Sequence, residues 1–426
     1  MHFLTDEIAS GYVIACIQSG LIDKTRDTSF IIYDLGILHQ KTASLTNSFP
    51  ADSLHTTAIK ANPLIKIAEK LNKIGFGAEV ASEGELMLAL KAGFKAENIV
   101  FDSPVKTISE LAFALQNNIH INADSLMEID RIAKIKESVK SHSKIGLRIN
   151  PQVGAGKIKL TSVADEYSKF GVPIKSYKTE IIESFKKYNW LSGLHLHIGS
   201  QGCEMDMLLN GISKVLELIV EINKNIKKHN RQIEFLDIGG GLPVSYYHSV
   251  NPPDISLYAN NILGLMKENG LRNLTIITEF GRFLHANAGC IVSKVEYVKH
   301  YESSNTLMIH SGADIMLREC LNPGIWYHEF TLLDKNGNIK KSGKKINYTI
   351  AGPLCFAGDI VARDIELPVA DEGDYLLIHD TGGYTFSMWS KYVSRFFPKV
   401  IMKCDDNYKI IKNREEVQNI ISFWSV

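Results

Sequence analysis

Eight short β-favouring runs alternate with segments of helical period between residues 54 and 282, and this alternation constrains the fold more than any other feature. Amphipathic stretches such as PLIKIAEKLNKI and SEGELMLALKAG separate the runs, and the second should end at Gly93. Eight such units in about 230 residues predict an α/β fold, a (β/α)8 TIM barrel, with a doubly wound open sheet as the structural alternative. The predicted strands are 56–60, 77–82, 98–103, 120–124, 144–150, 191–200, 233–241 and 274–282.

The sequence beyond residue 288 is strand-rich and punctuated by turns, including a hairpin signal at Asn336-Gly337. It indicates a separate all-β domain of sandwich or barrel-like form. The early run SFIIYDLGIL is predicted to join that sheet as an N-terminal strand. We therefore predict four parts: an N-terminal helical extension over 1–28, the joining strand within 29–50, the barrel over 51–288 and the C-terminal β-domain over 289–426.

Charge and cysteine content narrow the classes of partner. Forty-seven basic residues balance 47 acidic ones without a basic block, which disfavours nucleic acid and anionic membranes as partners. No run of about 18 apolar residues supports a membrane span. The six cysteines form no C-x-x-C pair, which is typical of free thiols in a reducing compartment such as the cytoplasm. We expect a small-molecule partner and no metal site.

Polar residues stand at the ends of the predicted strands, where (β/α)8 barrels place their reactive groups. A lysine, anion-binding groups and an aromatic base at one mouth indicate a site for a phosphorylated, carbonyl-bearing cofactor. The strand-end residues are Lys60, Glu79, Ser82, Asp124, Arg148, Asn150, His197, Ser200, Gly239, Gly240, Gly241, Glu279 and Arg282.

Each of these signals has a simpler alternative. Lys60 is either a solvated strand-end residue or a lysine that forms a Schiff base with an aldehyde. The triple glycine at 239–241 is either a flexible loop or a backbone that approaches a phosphate closely. Of His195 and His197, we assign the two rings to opposite faces of one strand and expect only His197 to face the mouth, beside Ser200. The pair in TEFGR is either a surface ion pair or part of the site.

Several motifs together resemble one family. TAIKANP, KFGVP, GLHLHIGSQ, LDIGGGLP, TEFGR, GPLCFAGD and DTGGYTFSM occur in the order and approximate spacing of the fold-type III pyridoxal-phosphate decarboxylases. The chain is most similar to the diaminopimelate decarboxylase group, over about residues 30–400. The resemblance implies pyridoxal 5'-phosphate (PLP) as cofactor, loss of CO2 from the α-carbon of an amino acid, and a homodimer with shared active sites.

The resemblance also implies roles for individual residues. The implied catalytic residues are Lys60, which carries the cofactor, His197, which stacks on its ring, Glu279, which pairs with the pyridine nitrogen, and Cys355, which helps to reprotonate the α-carbon in a partner subunit's site. A carboxylate at that nitrogen favours decarboxylation over racemisation, because it keeps the ring a strong electron acceptor. The implied phosphate ligands are Ser200, Gly239, Gly240, Gly241, Arg282 and Tyr384. Asp359 would pair with Lys169 across the dimer.

Departures from the pattern concern the substrate. Phe356 stands where the group usually has a glutamate that reads the distal amino group, and a phenylalanine accepts no hydrogen bond from ammonium. Arg318 is kept, but Asn322 stands at the position of a usual tyrosine. The predicted substrate-binding residues are Arg318, Phe356, Arg282 and Tyr384. Decarboxylation of another amino acid, in siderophore or other secondary metabolism, stays open, as do a racemase and a non-catalytic regulatory homologue.

Overall fold

Eight parallel strands close into a barrel in the computed structural model of this chain, which describes residues 3–227, 231–302, 304–341 and 343–426. A helix α1 (Asp6–Gln18), a strand β1 (Ser29–Asp34) and a helix α2 (Leu35–Ser48) precede it. The strands after them are β2 (Leu54–Ala58), β3 (Gly77–Val80), β4 (Ile99–Phe101), β5 (His120–Ala123), β6 (Ile145–Asn150), β7 (Val172–Pro173), β8 (Leu191–His195), β9 (Phe235–Asp237) and β10 (Thr275–Phe280).

Strand pairing confirms the predicted barrel. Each barrel strand pairs in parallel with its neighbour in the order β2-β3-β4-β5-β6-β8-β9-β10, and β10 pairs with β2, so the ring is closed and the open-sheet alternative is wrong. The short β7 pairs only with β6. The helices between the barrel strands are α3 (Ile65–Lys73), α4 (Glu83–Lys91), α5 (Ile108–Gln116), α6 (Leu126–Lys136), α7 (Ile174–Lys187), α8 (Met205–Ile226) and α9 (Ile255–Glu268), and α10 (Arg282–His285) follows the last strand.

Local sequence signals account for where α4 begins and ends. The Ser82 hydroxyl accepts a hydrogen bond from the Glu85 N–H at 3.2 Å, which satisfies one of the free amides of the first turn. Past its last residue, Gly93 adopts a φ of 87°, a left-handed conformation that costs glycine little. The predicted stop at Gly93 is thus confirmed to within two residues.

Two barrel strands carry glycines where neighbouring side chains, chiefly Phe235, leave no room for a Cβ atom. A Cβ atom at Gly193 would lie 2.1 Å from the Phe235 ring, and one at Gly146 would lie 2.6 Å from Asn122 Oδ1 and 3.2 Å from the Phe235 ring. Phe235 is 1% exposed and packs with Val100, Ile277 and Leu54. Apolar packing therefore fills this part of the barrel, while polar groups occupy other interior positions.

A buried lysine joins the segment after β4 to β5 and α6. The Lys106 amine donates hydrogen bonds to the carbonyls of Ser103, at 2.7 Å, and Asn122, at 2.8 Å. The same nitrogen lies 2.9 Å from Glu128 Oε1, and the side chains of the ion pair are 0% and 8% exposed. Because water cannot solvate either charge, each of the two charged groups needs the other as its counter-ion.

We predict that Lys106→Met will destabilise the protein by about 3–5 kcal/mol, because it leaves Glu128 as an uncompensated buried charge. Chemical unfolding of the cofactor-free protein measures the change. Lys66→Met is the matched control, since that exposed lysine pairs with Glu69 at 2.9 Å on the surface and should cost less than about 1 kcal/mol. Adding Glu128→Gln to Lys106→Met should recover part of the loss; equal stability of the two single lysine variants would contradict the prediction.

Residue contacts divide the chain into two units. One contains Thr42–Val244 and Pro252–Phe283, which includes the barrel strands, and the other contains Met1–Lys41, Ser245–Asn251 and Leu284–Val426. In the second unit lie β11 (Gly289–Tyr301), β12 (Ser304–Ile309), α11 (Leu317–Leu321), β13 (Phe330–Leu333), β14 (Lys345–Ala351), β15 (Ile360–Pro368), β16 (Tyr375–Ile378), β17 (Lys399–Cys404), β18 (Asn407–Lys412) and α12 (Val417–Trp424).

The second unit is built on one mixed sheet. Its strands follow the order β15-β14-β12-β11-β1-β17-β18, and β16 pairs with both β11 and β13. The early strand β1 lies antiparallel to β11 and parallel to β17, which confirms that it joins this sheet. The predicted strand-rich stretches include Ser303 and Ser342, which lie outside the described residues. No helix in the described ranges is long and apolar enough to cross a membrane.

Candidate active site

Lys60 was predicted as the last residue of a strand, but it lies in the turn that follows that strand. β2 ends at Ala58, and Ile59–Ala61 forms a 3-10 turn. The Lys60 side chain is 41% exposed, and its amine contacts the carboxylate of Glu79, whose side chain is fully buried at the end of β3. The turn therefore presents an amine that is accessible on one side and held by a carboxylate on the other.

Glu79 is placed to exchange a proton with Lys60. Burial raises the pKa of Glu79 to about 8, with Lys60 acting to lower it and Glu279 to raise it. Its second oxygen, Oε2, is buried and has no hydrogen-bond partner within the described residues. Near neutral pH this carboxyl group can therefore hold a proton beside the lysine amine.

The two histidines at and just beyond the end of β8 do not divide as predicted. Residues two apart on a strand share a face, so the assignment of His195 and His197 to opposite faces was wrong. The predicted strand over 191–200 also stops at His195, which is completely buried, while His197 is half-buried beyond the strand end. The structure thus places two histidines, not one, among the strand-end residues.

His197 is a neutral ring beside the glycine loop. Its Nδ1 accepts a hydrogen bond from the Gly240 N–H at 3.2 Å. Burial, assisted by the positive charge of Arg148, lowers the pKa of His197 to about 3. At pH 7 the ring is therefore uncharged, and a flat neutral ring can stack against a heteroaromatic ligand.

The glycine loop forms a cradle without side chains. Gly239 and Gly241 have φ values of 63° and 101°. A Cβ at Gly240 would lie 2.4 Å from the Glu279 carbonyl oxygen, and one at Gly241 would lie 2.4 Å from that of Gly199. Any larger residue would collide with these oxygens. Because all three residues are glycines, no side chain blocks the backbone N–H groups, and they can approach an anion closely.

An arginine and a serine stand beside the cradle. Arg282 is the first residue of α10 and is 6% exposed, and its Nε donates a hydrogen bond to Ser200 Oγ at 3.1 Å. A buried guanidinium oriented by a hydroxyl suits a phosphate dianion, because both groups donate hydrogen bonds. The surface alternative for TEFGR is wrong, since Glu279 is also buried, at 5% exposure.

Glu279, on β10, lies among buried ionisable groups. Its Oε2 is 3.5 Å from His195 Nε2, while Oε1 accepts no hydrogen bond from any amide, hydroxyl or cationic group in the described part of the chain. Burial opposes ionisation, but His195 outweighs it and lowers the pKa of Glu279. Burial and the charge of Glu279 raise the pKa of Asp237 well above its usual range, so Asp237 keeps its proton and Glu279 is the carboxylate.

Asp102, His195 and Asp237 were not assigned functions from the sequence. Asp102 follows β4, and Arg148 Nη1 lies 3.3 Å from its Oδ2. Asp237 ends β9 and accepts hydrogen bonds from Asn122 at 2.8 Å and from the Gly239 amide at 3.0 Å. Both aspartates lie within predicted strands, 98–103 and 233–241, so an acidic residue inside a strand that was predicted to be buried was the available signal.

The remaining predicted residues belong to the second unit. Cys355 and Phe356 are exposed, and the Phe356 ring lies edge-on to Tyr392 with the ring centres 6.2 Å apart. Arg318 lies over the Trp326 ring at 4.1 Å. Tyr384 is half-buried with a φ of 59°, a left-handed conformation that is uncommon for a tyrosine and often marks functional positions.

Asp359 has a local role that was not predicted. It is 3% exposed, and its two carboxylate oxygens accept hydrogen bonds from the backbone amides of Ala313, at 2.6 Å, and Leu354. Lys169 is exposed, with its amine 4.9 Å from the Phe170 ring centre. The pairing of Asp359 with a partner's Lys169 stays a prediction, and it would have to engage a carboxylate that already fixes its own loop.

The barrel residues fit pyridoxal phosphate. Glu279 is a buried carboxylate beside the protonated Asp237, and its negative charge suits a cationic donor such as a protonated pyridine nitrogen. The glycine cradle and the buried pair of Arg282 and Ser200 suit a phosphate, and Lys60 supplies an accessible amine. These groups come from the ends of different barrel strands or the turns just after them.

Comparisons with known proteins identify the class. The pyridoxal binding domain of the pyridoxal-dependent decarboxylases matches residues 35–286, and the chain belongs to this family. A diaminopimelate decarboxylase of Helicobacter pylori is 33% identical over 411 residues, which are 93% of this chain and 95% of that protein. One of Aquifex aeolicus is 30% identical over 404 residues, 93% of this chain and 92% of that protein.

Solved structures agree with this class. The structure of Helicobacter pylori diaminopimelate decarboxylase complexed with L-lysine aligns with a TM-score of 0.84 at 30% identity, covering 96% of this chain and 98% of that one. The alignment thus includes both units of the chain, and it confirms the fold-type III resemblance. The protein is accordingly an enzyme of the PLP-dependent decarboxylase class, similar to the diaminopimelate decarboxylases.

Proposed function

We propose that the protein uses PLP to remove the α-carboxyl group of an amino acid as CO2, and that diaminopimelate is its first candidate substrate. The observation that carries the proposal is the set of groups at the barrel strand ends: an amine at Lys60, a neutral ring at His197, an anion cradle at Gly239 to Gly241 and a buried carboxylate at Glu279.

The bound cofactor would supply a ring that accepts the electron pair left on the α-carbon as CO2 departs. Lys60 would hold the cofactor through its Nζ, and the Glu79 carboxyl group would hold or return a proton at that nitrogen. The neutral ring of His197 would lie against the heterocycle. Glu279 would favour a protonated ring nitrogen, which a decarboxylase needs and a racemase does not.

The proposed substrate is supported by the relatives and questioned by one residue. Relatives about 30% identical are named diaminopimelate decarboxylases. Phe356, however, is exposed and packs beside Tyr392, and neither its position nor its chemistry offers an acceptor for a distal ammonium group. An amino acid that keeps a distal carboxylate for Arg318 but lacks that amine is therefore the second candidate.

The test begins with purified protein and added PLP. We expect a visible Schiff-base absorbance that shifts with amine substrates, and CO2 release in a panel of diaminopimelate, lysine, ornithine, arginine and other amino acids with a distal carboxylate. Release from diaminopimelate alone supports the first candidate, and release only from an acid without the distal amine supports the second. A folded protein that binds no PLP would overturn the proposal in favour of a non-catalytic role, and α-deuterium exchange without CO2 would indicate a racemase.

We further propose a homodimer in which Cys355 completes the partner's site by reprotonating the α-carbon. The exposure of Cys355 supports this role, because a thiol that serves another subunit must be accessible in the single chain. The second unit also presents an exposed ring at Phe356 beside that thiol.

Mixing inactive Lys60→Ala and Cys355→Ala subunits should restore activity, because each hybrid dimer carries one intact site. With full exchange, about half of the dimers are hybrids with one of two sites intact, so about a quarter of wild-type activity is expected. Activity after subunit exchange, which mass spectrometry confirms, is the measurement. Mixing Lys60→Ala with Lys60→Ala/Cys355→Ala is the control and should restore none; no recovery in the first mixture would contradict the shared site.

A further inference from the structure

A cavity in the second unit is lined by three arginines, Arg26, Arg395 and Arg414. Its volume is about 370 Å³, which lies within the range of about 300–1,000 Å³ that is common for small-molecule sites. None of the described residues that line it is acidic. The cavity therefore offers several cationic donors to one ligand.

Arg395 is fixed at the wall of this cavity. Its Nη2 donates a hydrogen bond to the carbonyl oxygen of His310 at 3.0 Å, and its Nε donates to Asp314 Oδ2 at 3.4 Å. The side chain is 25% exposed, so solvent screens its charge only in part. A guanidinium group has five N–H donors, and these two contacts leave the others for a ligand.

The other two arginines share one carboxylate. Nη2 of Arg26 lies 2.6 Å from Glu416 Oε2, and Nη2 of Arg414 lies 3.5 Å from the same oxygen. Arg414 is 16% exposed and lies over the Phe396 ring, 4.9 Å from the ring centre. With Asp314, the salt bridges of the three guanidinium groups involve only two carboxylates. A bound anion would offset the remaining positive charge.

The turn before Arg395 has a strained backbone. Val393 and Ser394 have φ values of 60° and 53°, a left-handed conformation that is uncommon for residues other than glycine, above all for a β-branched one. Both residues line the cavity. Because such strain costs stability and is concentrated at functional sites, it supports a role for this wall in binding.

We propose that this cavity binds a small phosphate monoester. The three guanidinium groups suit the phosphate, because each can donate two parallel hydrogen bonds to two of its oxygens, and the Ser394 hydroxyl can donate another. Pro353 and Phe396, which also line the cavity, offer apolar contacts to the organic part. The site does not depend on the proposed function, since all of its residues belong to the second unit.

The experiment is a calorimetric titration of the full chain, loaded with PLP and separated from excess, with inorganic phosphate and with phenyl phosphate at low salt. PLP occupies the proposed barrel site, so further binding reports on the cavity. We expect one additional site per chain, tighter for phenyl phosphate than for phosphate. Arg414→Gln should weaken both by about 10- to 100-fold. Tighter binding of succinate than of phosphate would overturn the proposed ligand class.

Arg363→Gln is the matched control, because it removes the same charge from an exposed position on β15 that does not line the cavity, and affinity should stay within about twofold. If Arg414→Gln does not fold, the more exposed Arg26→Gln replaces it, with an expected loss of about two- to fivefold. No additional phosphate binding in the wild type, or equal affinities in the cavity variant and the control, would overturn the proposal.

A chain that binds no PLP would refute the proposed function and still allow this test. The titration would then use Arg282→Gln, which removes the guanidinium group beside the glycine cradle of the barrel. Phosphate binding that persists in this variant and is weakened by adding Arg414→Gln would support the cavity as the site. Loss of all phosphate binding in Arg282→Gln alone would overturn the proposal.

Discussion

Lys60→Ala is expected to reduce CO2 release by at least about 10³-fold and to abolish the covalent adduct between the protein and PLP. The amine of Lys60 is the accessible nucleophile beside Glu79, and alanine removes both the covalent link and the proton exchange with that carboxyl group. Borohydride reduction followed by peptide mass spectrometry locates the adduct, and a CO2 assay gives the rate.

Lys66→Ala is the control for a lysine on the neighbouring helix. Lys66 lies on the exposed side of α3, paired with Glu69, and its loss should leave the adduct and the rate unchanged. An adduct that persists in Lys60→Ala would show that another lysine binds the cofactor. A lost adduct with an undiminished rate would show that the reaction does not need the covalent link, and either result would remove Lys60 from the proposed role.

The barrel was predictable from hydrophobic periodicity, because the pattern of each strand and helix is local in sequence. The alternating runs located all eight barrel strands and the helix stop at Gly93, and the early strand joined the second sheet as expected. Strand ends were less accurate: β8 stops at His195 and β9 at Asp237, several residues before the predicted ends. Those ends depend on where partner strands cease to pair, which is a tertiary property.

The positions of several candidate site residues were predictable, because one residue type dictates the chemistry proposed for each of them. Lys60, the glycine cradle, Arg282 and Glu279 stand among the barrel strand ends as expected. Their electrostatic partners were not predictable, because Asp102 is separated from His195 by 93 positions in sequence and the two meet only when the barrel closes. Asp359 illustrates the same difficulty: the sequence predicted only a cross-subunit partner for it, and its hydrogen bonds with the backbone amides of Ala313 and Leu354 depend on loop conformation.

Glu279→Gln is expected to lower kcat by about 10²–10³-fold, equivalent to about 3–4 kcal/mol, with a smaller change in KM. Glutamine keeps the size of the side chain but removes the negative charge that, under the proposed function, Glu279 offers to a protonated ring nitrogen. The loss should fall on kcat, because the negative charge matters most when electrons move into the ring as CO2 departs.

Thr278→Val is the control for disturbance of β10. Thr278 precedes Glu279 on the same strand, and its hydroxyl pairs with His55, so valine removes a buried hydrogen bond without touching the proposed site. It should cost about 1 kcal/mol of stability and leave kcat within about twofold. If Glu279→Gln kept full activity, the ring nitrogen would not need a carboxylate. Glu279 would then no longer favour a decarboxylase over a racemase. Partial recovery in Glu279→Asp would show that charge, and not only side-chain length, carries the effect.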